Sequence, residues 1–260
     1  LSIVPCDALG RVDPAAIAAA WRPATRLVAC PHASNVTGAL QDAAAIAAIA
    51  HDRGGLLLLD AAQTAGQAVI DAAALGADIV AAPAHKWLLG TAGVGLLWVR
   101  PGLEPVPLVQ GGTGSASESL DMPAAFADRF EAGTPDVPAL AAFAAAASWL
   151  EARGVAAVAA ACRELAAASA AGLRDLPGVR VLAADGAPIV SFTVEGYDPA
   201  DVAAIVELAA GVERPEARPH RARVHECLGT PAGTVRASFG PFNGREDAEA
   251  LVRAVEAIRG

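Results

Sequence analysis

The 260-residue sequence predicts an α/β protein, with a mostly parallel sheet in a large domain followed by a smaller α+β domain. The first hundred residues alternate short apolar runs with amphipathic stretches, which is typical of buried strands separated by helices. A second, shorter alternation follows a long irregular segment and an alanine-rich helical stretch. Charged or polar residues interrupt every apolar run before it reaches about 18 residues, which indicates a soluble protein.

Local patterns in residues 1–137 predict the elements of the large domain. Apolar residues at helical spacing predict helices at 14–21 and 43–53. Residues 101–135 are rich in Pro, Gly and Ser, and they predict a long loop of the kind that usually carries function. Short apolar runs predict strands buried on both faces at 25–30, 56–59, 79–82 and 94–99.

Residues 138–260 are expected to form an interdomain helix and the small C-terminal domain. An alanine-rich helical stretch runs to about residue 172, with a break near Gly154. Beyond the turn at Pro177 and Gly178, the pattern predicts strands at 179–182, 189–194 and 234–239, helices at 200–209 and 245–258, and a loop at 214–226.

The overall charge and the cysteine pattern argue against several classes of protein. With 19 Lys and Arg against 28 Asp and Glu, the net charge of −9 argues against nucleic-acid binding. Cys6, Cys30, Cys162 and Cys227 lack the spacing of a disulfide framework or a zinc site. We therefore expect no metal and a reducing, cytoplasmic location. The N-terminus also lacks the pattern of a signal peptide.

Lys86 is the single lysine of the chain, and the other 18 of its 19 basic side chains are arginines. An amine differs from a guanidinium because it can lose its proton and form an imine with a carbonyl. Lys86 follows the predicted strand 79–82, beside the sheet, where open α/β folds bind ligands. Taken alone, Lys86 is equally consistent with a covalent anchor for a carbonyl cofactor and with a chance remnant of the arginine-rich composition.

Asp60 ends an apolar run and therefore places a carboxylate at the carboxyl end of a central strand. A buried charge there requires a partner, and the protonated ring nitrogen of pyridoxal phosphate (PLP) is one such partner. Gln63 lies three residues later, so both side chains would lie near one ligand. Asp60 is equally suited to be the N-cap of a helix that begins at Ala61.

Two further polar side chains are candidates for binding a substrate. Asn35 follows the strand 25–30 at the same sheet edge as Asp60, although this loop is also rich in ordinary turn residues. Arg236 alternates with apolar neighbours in the strand 234–239, where a substrate carboxylate would satisfy its guanidinium. An exposed edge strand would accommodate the same arginine.

Six stretches, in the same order along the chain, resemble the class V aminotransferase family and in particular its cysteine desulfurase branch. They are PHASNVTG (31–38), DAAQTAG (60–66), AHKWLLG (84–90), GGTGS (111–115), FEAGTP (130–135) and VRASF (235–239). The resemblance covers the whole chain. It implies the fold of PLP-dependent transferases of fold type I, PLP as cofactor and an amino acid as substrate.

The resemblance implies a role for each matching residue around the cofactor. Lys86 would bind PLP covalently, Asp60 would pair with its ring nitrogen and Gln63 would donate to its phenolic oxygen. His85 would contact the phosphate. In this fold type the active site forms at the interface of a homodimer, so Thr113 would reach the phosphate bound by the neighbouring subunit.

The resemblance also assigns substrate-binding residues, and the chain departs from the family at three points. Asn35 and Arg236 would hold the α-carboxylate. His220 stands where desulfurases carry their nucleophilic cysteine, which leaves Cys227 as a displaced nucleophile or a packing residue. Pro83 stands where the family has a phosphate-binding serine. The family also has an N-terminal portion ahead of the first residue, which would make the large domain incomplete.

Two hypotheses follow. The leading one is a PLP-dependent transferase or lyase that acts on an amino acid, by carbon–sulfur or carbon–selenium cleavage or by transamination. The alternative is a noncatalytic fragment that serves as a dimerisation or partner-binding module. Neither hypothesis involves a nucleic acid or a membrane.

Overall fold

The computed structural model describes residues 1–115, 118–183, 185–210 and 223–259, which contain two separate sheets. The strands are β1 (Leu27–Pro31), β2 (Leu56–Asp60), β3 (Ile79–Pro83), β4 (Gly95–Val99), β5 (Val179–Val181), β6 (Ile189–Val194) and β7 (Val235–Ser238). The helices are α1 (Pro14–Ala20), α2 (Ala43–Asp52), α3 (Phe126–Phe130), α4 (Val137–Arg153), α5 (Val155–Arg174), α6 (Pro199–Ala210), α7 (Arg223–Cys227) and α8 (Arg245–Arg259).

The larger sheet has the order β1-β2-β3-β4 and is mostly parallel, as the sequence predicted. β1, β2 and β3 run parallel, and β4 returns antiparallel to β3. Pro31 pairs with Asp60 and Asp60 with Ala81, so the three parallel strands end at one edge of the sheet. The expectation of strands buried on both faces is wrong for β1 and β4. They are the outer strands, and they leave Leu27 45% and Leu97 50% exposed.

Helix α2 packs on the larger sheet and forms part of its core. Ile46 of α2 is fully buried in the same cluster as Leu57 and Leu59 of β2. Burial of each such side chain contributes about 2 kcal/mol relative to exposure. The helix begins after Asp42, because the Asp42 carboxylate accepts the Ala45 N–H at 3.0 Å and satisfies a donor of the first turn.

The smaller sheet is antiparallel, with the order β5-β6-β7, and it has its own core. Helices α5, α6 and α8 contact one another or the sheet around this core. Its centre is Phe192 of β6, Val206 of α6 and Val255 of α8, which are all fully buried. The α+β character expected of residues 138–260 is therefore observed in the described part of that range.

The predicted break in the alanine-rich stretch is confirmed at Gly154, which separates α4 from α5. Gly154 has a φ of 77°, a backbone conformation that glycine adopts without steric cost. The two helices pack around Leu150, Val158 and Cys162, with Leu88 of the loop after β3 against the same cluster. The break thus lets α4 and α5 fold back onto the part of the chain that carries Lys86.

Helix α5 is, within the described part of the chain, long and apolar enough by composition to cross a membrane. Its buried face instead packs inside the protein, where Cys162, Ala170 and Leu173 are at most 3% exposed. The helix contacts β5, β6 and α8. It is the core helix of a soluble-type fold.

Two short helices were not predicted. Helix α3 lies within the segment 101–135, which was expected to be irregular throughout, and α7 lies at the end of the loop expected at 214–226. Each has only five residues, too short for a helical pattern to stand out in the sequence. Residues 214–222 of that expected loop lie outside the described residues.

Asp78, just before β3, is a fully buried carboxylate that joins three parts of the larger sheet. It accepts the Leu57 N–H at 2.8 Å, and its oxygens lie 2.8 Å from His51 Nε2 and 2.7 Å from Arg100 Nε. Burial alone would raise the pKa of Asp78, but these three partners outweigh it and hold the pKa below the usual 3.8. The charged form is therefore stabilised by the fold.

We expect Asp78→Asn to lower the free energy of unfolding by about 2 kcal/mol, because charged hydrogen bonds are lost while half-exposed His51 and Arg100 regain water. Since the pKa is lower in the folded state, the contribution of Asp78 is complete above about pH 4 and is lost as the pH falls further. Denaturant unfolding between about pH 7 and pH 2 measures both effects. Exposed Asp52→Asn is the matched control, and an equal loss there would contradict this role for Asp78.

Candidate active site

Five of the predicted site residues line one cavity, and four of the five lie at the carboxyl edge of the parallel strands. Asn35 follows β1, Asp60 and Gln63 follow β2, and Lys86 follows β3. The cavity has a volume of about 660 Å³. The topology therefore brings together an amine, a carboxylate and two amides from three separate loops.

Lys86 lies in a tight turn that follows β3. The Leu89 N–H donates to the Lys86 carbonyl at 3.0 Å, and the Gly90 N–H donates to the Ala84 carbonyl at 2.8 Å. The Lys86 side chain is exposed to the cavity, and across the described ranges it forms no hydrogen bond or ion pair. Its amine is therefore available to a ligand.

Gly66 fixes the position of this turn against the loop that follows β2. A Cβ atom at residue 66 would overlap the carbonyl group of Trp87, and Gly66 has a φ of 90°. Only glycine allows this close approach of two backbones without strain. The contact joins the loops that carry Lys86 and Gln63, and both side chains line the cavity.

Asp60 is exposed rather than buried, so the expected burial of its charge is corrected. The residue lies at the last position of β2, where the sheet opens into the cavity. Its Oδ1 accepts the Ala62 N–H at 2.9 Å, but the residues that follow form turns, so the alternative of an N-cap for a helix beginning at Ala61 is wrong. The carboxylate also lines the cavity, where it can meet a ligand.

Gln63 is held by Trp87, a residue that sequence reasoning missed. The Trp87 indole N–H donates to Gln63 Oε1 at 3.1 Å, and Gln63 is 8% exposed. Because an indole N–H is only a donor, it identifies that end of the amide as oxygen and leaves Nε2 as the donor end. The sequence feature that could have identified Trp87 is its position directly after Lys86, since its aromatic ring carries a hydrogen-bond donor.

A buried hydrogen bond joins the loops that follow β1 and β2. His32 Nδ1 lies 2.9 Å from Thr64 Oγ1, and the His32 backbone N–H donates to the Asp60 carbonyl at 2.8 Å. Burial lowers the pKa of His32, which favours the neutral imidazole. The pair therefore holds Asn35 and Asp60 in register without adding a charge to the site.

Arg236 on β7 contacts the loop that carries Asn35. Its Nη1 donates to the Asn35 carbonyl at 3.0 Å, and Ser191 Oγ donates to the Val36 carbonyl at 2.5 Å. Arg236 is half-buried and does not itself line the cavity in the described structure. The smaller sheet thus docks beside the cavity, with Arg236 next to Asn35.

The remaining predicted residues lie elsewhere. His85 is exposed, and Thr113 lies in the segment before α3 with its Oγ1 3.0 Å from Ser115 Oγ; neither lines the described cavity. His220 lies outside the described residues. Pro83 ends β3 and lines a second cavity, which Asp60 also lines.

Cys227, at the end of α7, lines the same cavity as Lys86, and so does Cys6. The side chains of Cys6 and Cys227 are close enough to interact electrostatically. The sequence offered no partner for Cys227, because the two cysteines lie near opposite ends of the chain.

Comparison with known proteins identifies the family to which this chain is similar. The sequence profile of the class V aminotransferases matches residues 1–251. A probable cysteine desulfurase of Methanothermobacter thermautotrophicus is 34% identical over 99% of this chain and 66% of that protein. Probable cysteine desulfurase 2 of Mycobacterium leprae is 36% identical over 88% of this chain and 56% of that protein. The chain thus spans somewhat less than two thirds of the lengths of these relatives.

Solved structures give the same result. The apo structure of a cysteine desulfurase from Thermococcus onnurineus NA1 superposes with a TM-score of 0.86 and 31% identity, covering 99% of this chain and 66% of that one. The cysteine desulfurase CsdA from Escherichia coli gives a TM-score of 0.85 and 28% identity, covering 98% and 64%. With its profile match, its relatives and its sheet topology, this chain belongs to the class V aminotransferase family, whose members are PLP-dependent.

Proposed function

We propose that the protein is a PLP-dependent transferase or lyase that acts on an amino acid of the cysteine type. The observation that carries the proposal is the position of the only lysine, Lys86, in one cavity with Asp60 and Gln63. The names of the relatives, probable cysteine desulfurases, support the choice of substrate class. Family membership favours this function over a noncatalytic dimerisation module.

The residues in the cavity fit PLP by their chemistry. Lys86 offers an amine that makes no other contact in the described structure, and Asp60 offers a carboxylate for the ring nitrogen. Gln63 offers the Nε2 donor that Trp87 leaves available for the phenolic oxygen. When bound, PLP supplies an electron-accepting ring that stabilises negative charge on the α-carbon of an amino acid. The cavity volume of about 660 Å³ lies in the range usual for ligand sites.

The site residues would contribute by binding the cofactor or the substrate and by stabilising charge. Asp60 would keep the ring nitrogen protonated, because an adjacent carboxylate favours a positive charge. Asn35 and Arg236 would hold the substrate carboxylate, and their mutual contact at 3.0 Å supports this pairing. His85 would contact the phosphate.

Cys227 is our candidate for the thiol that accepts sulfur from the substrate. Its position in the lining of the same cavity as Lys86 supports this role. A thiolate in that place would attack the substrate sulfur and form the sulfur–sulfur bond of a persulfide, while the carbon–sulfur bond breaks and its electron pair passes to the substrate carbon. Reactions that need no thiol, such as β-elimination from selenocysteine or cysteine sulfinate or transamination, are the alternatives.

We also propose that residues 1–137 and 138–260 act as a large and a small domain in a cytoplasmic homodimer. Separate cores around the two sheets support the division. Thr113 would reach the phosphate in the neighbouring subunit. Its segment carries exposed apolar side chains that suit an interface, namely Val106, Leu108, Val109 and Leu120, which are 74% or more exposed. Unpaired cysteines fit a reducing compartment.

We expect Lys86→Ala to abolish the absorbance band that wild-type protein develops with PLP, because no other side chain offers an ε-amine. Sulfide release from cysteine should fall below detection in the same variant. Lys86→Arg is the matched control, because it keeps the positive charge. It should also develop no absorbance band and release no sulfide, since a guanidinium forms no imine at neutral pH.

Cys227→Ser separates cofactor binding from sulfur transfer in this experiment. It should keep the absorbance band and lose sulfide release. If wild type is folded and develops no band, the enzyme proposal fails and the noncatalytic module remains. If Cys227→Ser releases sulfide like wild type, one of the thiol-independent reactions replaces sulfur transfer.

We expect Trp87→Phe to weaken PLP binding by about five- to tenfold, because one hydrogen bond of about 1 kcal/mol no longer orients Gln63. The absorbance maximum of bound PLP should shift, since Nε2 would no longer face the phenolic oxygen in a fixed geometry. Titration with PLP, followed by absorbance, measures both quantities.

A double-mutant comparison of Trp87 and Gln63 distinguishes the orientation of Gln63 by Trp87 from a general loss of protein stability. In a Gln63→Ala background, Trp87→Phe should have no further effect on PLP affinity. Trp21→Phe, which changes an indole at the C-cap of α1, is the matched control. If Trp87→Phe lowered PLP affinity by the same factor in Gln63→Ala protein as in wild type, the positioning role of Trp87 would be contradicted.

A further inference from the structure

Two thiols lie together in the wall of the cavity that contains Lys86. Cys6 and Cys227 both line this cavity, both are partly exposed, and their side chains are close enough to interact electrostatically. We propose that Cys6 and Cys227 form a dithiol site that small disulfide oxidants convert reversibly into a disulfide across this wall. The disulfide itself is independent of the function proposed above.

Cys6 is held in position by the turn that follows it. The Asp7 carboxylate accepts two backbone N–H groups of that turn, each at 2.8 Å. Gln41, which is 6% exposed, donates from Nε2 to the Gly10 carbonyl at 2.9 Å and accepts the Val12 N–H at 2.8 Å. The segment that carries Cys6 is therefore fastened to the loop after β1.

Cys227 is held by the residues that follow α7. His225, which is 4% exposed, lies with Nδ1 3.0 Å from Thr230 Oγ1, and Arg180 Nη2 donates to the Leu228 carbonyl at 2.7 Å. Both cysteines thus belong to segments that are already ordered. Forming a bond between them loses little conformational freedom, which favours intramolecular over intermolecular oxidation.

The two thiols differ in reactivity. Burial raises the pKa of Cys6 to about 11, and the neighbouring Cys227 contributes to the increase. Cys6 therefore stays protonated at neutral pH, which makes it a poor nucleophile. Because the thiolate is the nucleophile in disulfide exchange, Cys227 reacts first with an external oxidant.

The exchange is balanced in two steps. The Cys227 thiolate attacks one sulfur of a small disulfide and releases one small thiol, which leaves a mixed disulfide on Cys227. Cys6 then loses its proton and attacks the Cys227 sulfur, and the second small thiol leaves. Two protein thiols are oxidised, and one small disulfide is reduced to two thiols.

The other two cysteines provide internal controls. Cys30 is 5% exposed and Cys162 is 1% exposed, and burial raises the pKa of each thiol, to about 11 for Cys30. Neither lines the described cavity. Both should remain reduced in the native protein, because a buried, protonated thiol does not exchange.

Oxidation would change the cavity. A disulfide occupies the Cys227 sulfur and ties residues 3–6 to α7, which together form one part of the cavity wall. Entry of molecules to Lys86 should then be slower. On the proposed function, the oxidised protein would also lack its sulfur-accepting thiol.

The test incubates native protein with oxidised glutathione and then counts free thiols after denaturation. We expect two of the four thiols to disappear, a digest that contains the linked Cys6 and Cys227 peptides, and complete reversal by dithiothreitol. In the Cys6→Ser variant, the reaction should end at a mixed disulfide of glutathione with Cys227. The Cys227→Ser variant should react with oxidised glutathione about tenfold more slowly than wild type. Cys30→Ser and Cys162→Ser should form the same linked peptides as wild type.

Four free thiols after oxidation would overturn the dithiol site, as would glutathione adducts that form equally fast in Cys6→Ser and Cys227→Ser.

The slower entry of molecules into the cavity is measured separately, as the rate at which an amine-specific reagent modifies the Lys86 peptide. This rate should fall in the oxidised protein and recover after reduction. An unchanged rate in protein that contains the linked peptides would overturn the effect on the cavity. Neither readout depends on PLP binding or on sulfide release.

Discussion

Parallel pairing of β1, β2 and β3 is the constraint on which the rest of the site depends. Parallel strands end at the same edge of a sheet, and the register places Pro31, Asp60 and Ala81 side by side. The loops that follow these strands must therefore meet. Asn35, Asp60 and Lys86 are far apart in sequence, and the sheet alone brings them to one cavity.

Contacts between the loops convert this rough convergence into a defined geometry. The buried pair of His32 and Thr64 joins the first two loops, and the close approach of Gly66 to Trp87 joins the second and third. The same Trp87 orients the amide of Gln63. At the opposite edge of the sheet, Asp78 ties the start of β3 to the start of β2 and to α2. Preorganised loops of this kind spare a bound ligand the loss of conformational freedom.

The sequence predicted the strands of the larger sheet well, because short apolar runs bounded by turn residues are typical of buried strands. It also singled out Lys86 by its uniqueness. Three features escaped it for physical reasons. The exposure of Asp60 depends on where the sheet opens, the role of Trp87 depends on a side-chain hydrogen bond, and the pairing of Cys6 with Cys227 depends on tertiary folding. Patterns of hydrophobicity carry none of this information.

The central claim is that Lys86 is the amine that binds PLP at the edge of the parallel sheet. The most direct test is borohydride reduction of the native protein with PLP, followed by mass spectrometry of the digested chain. We predict a single stable pyridoxyl adduct, on the peptide that contains Lys86. The adduct should not form when denaturant unfolds the protein before PLP is added, because unfolding separates Lys86 from Asp60 and Gln63. An adduct found only on the N-terminal amine, or one that forms equally well in the unfolded chain, would contradict this claim.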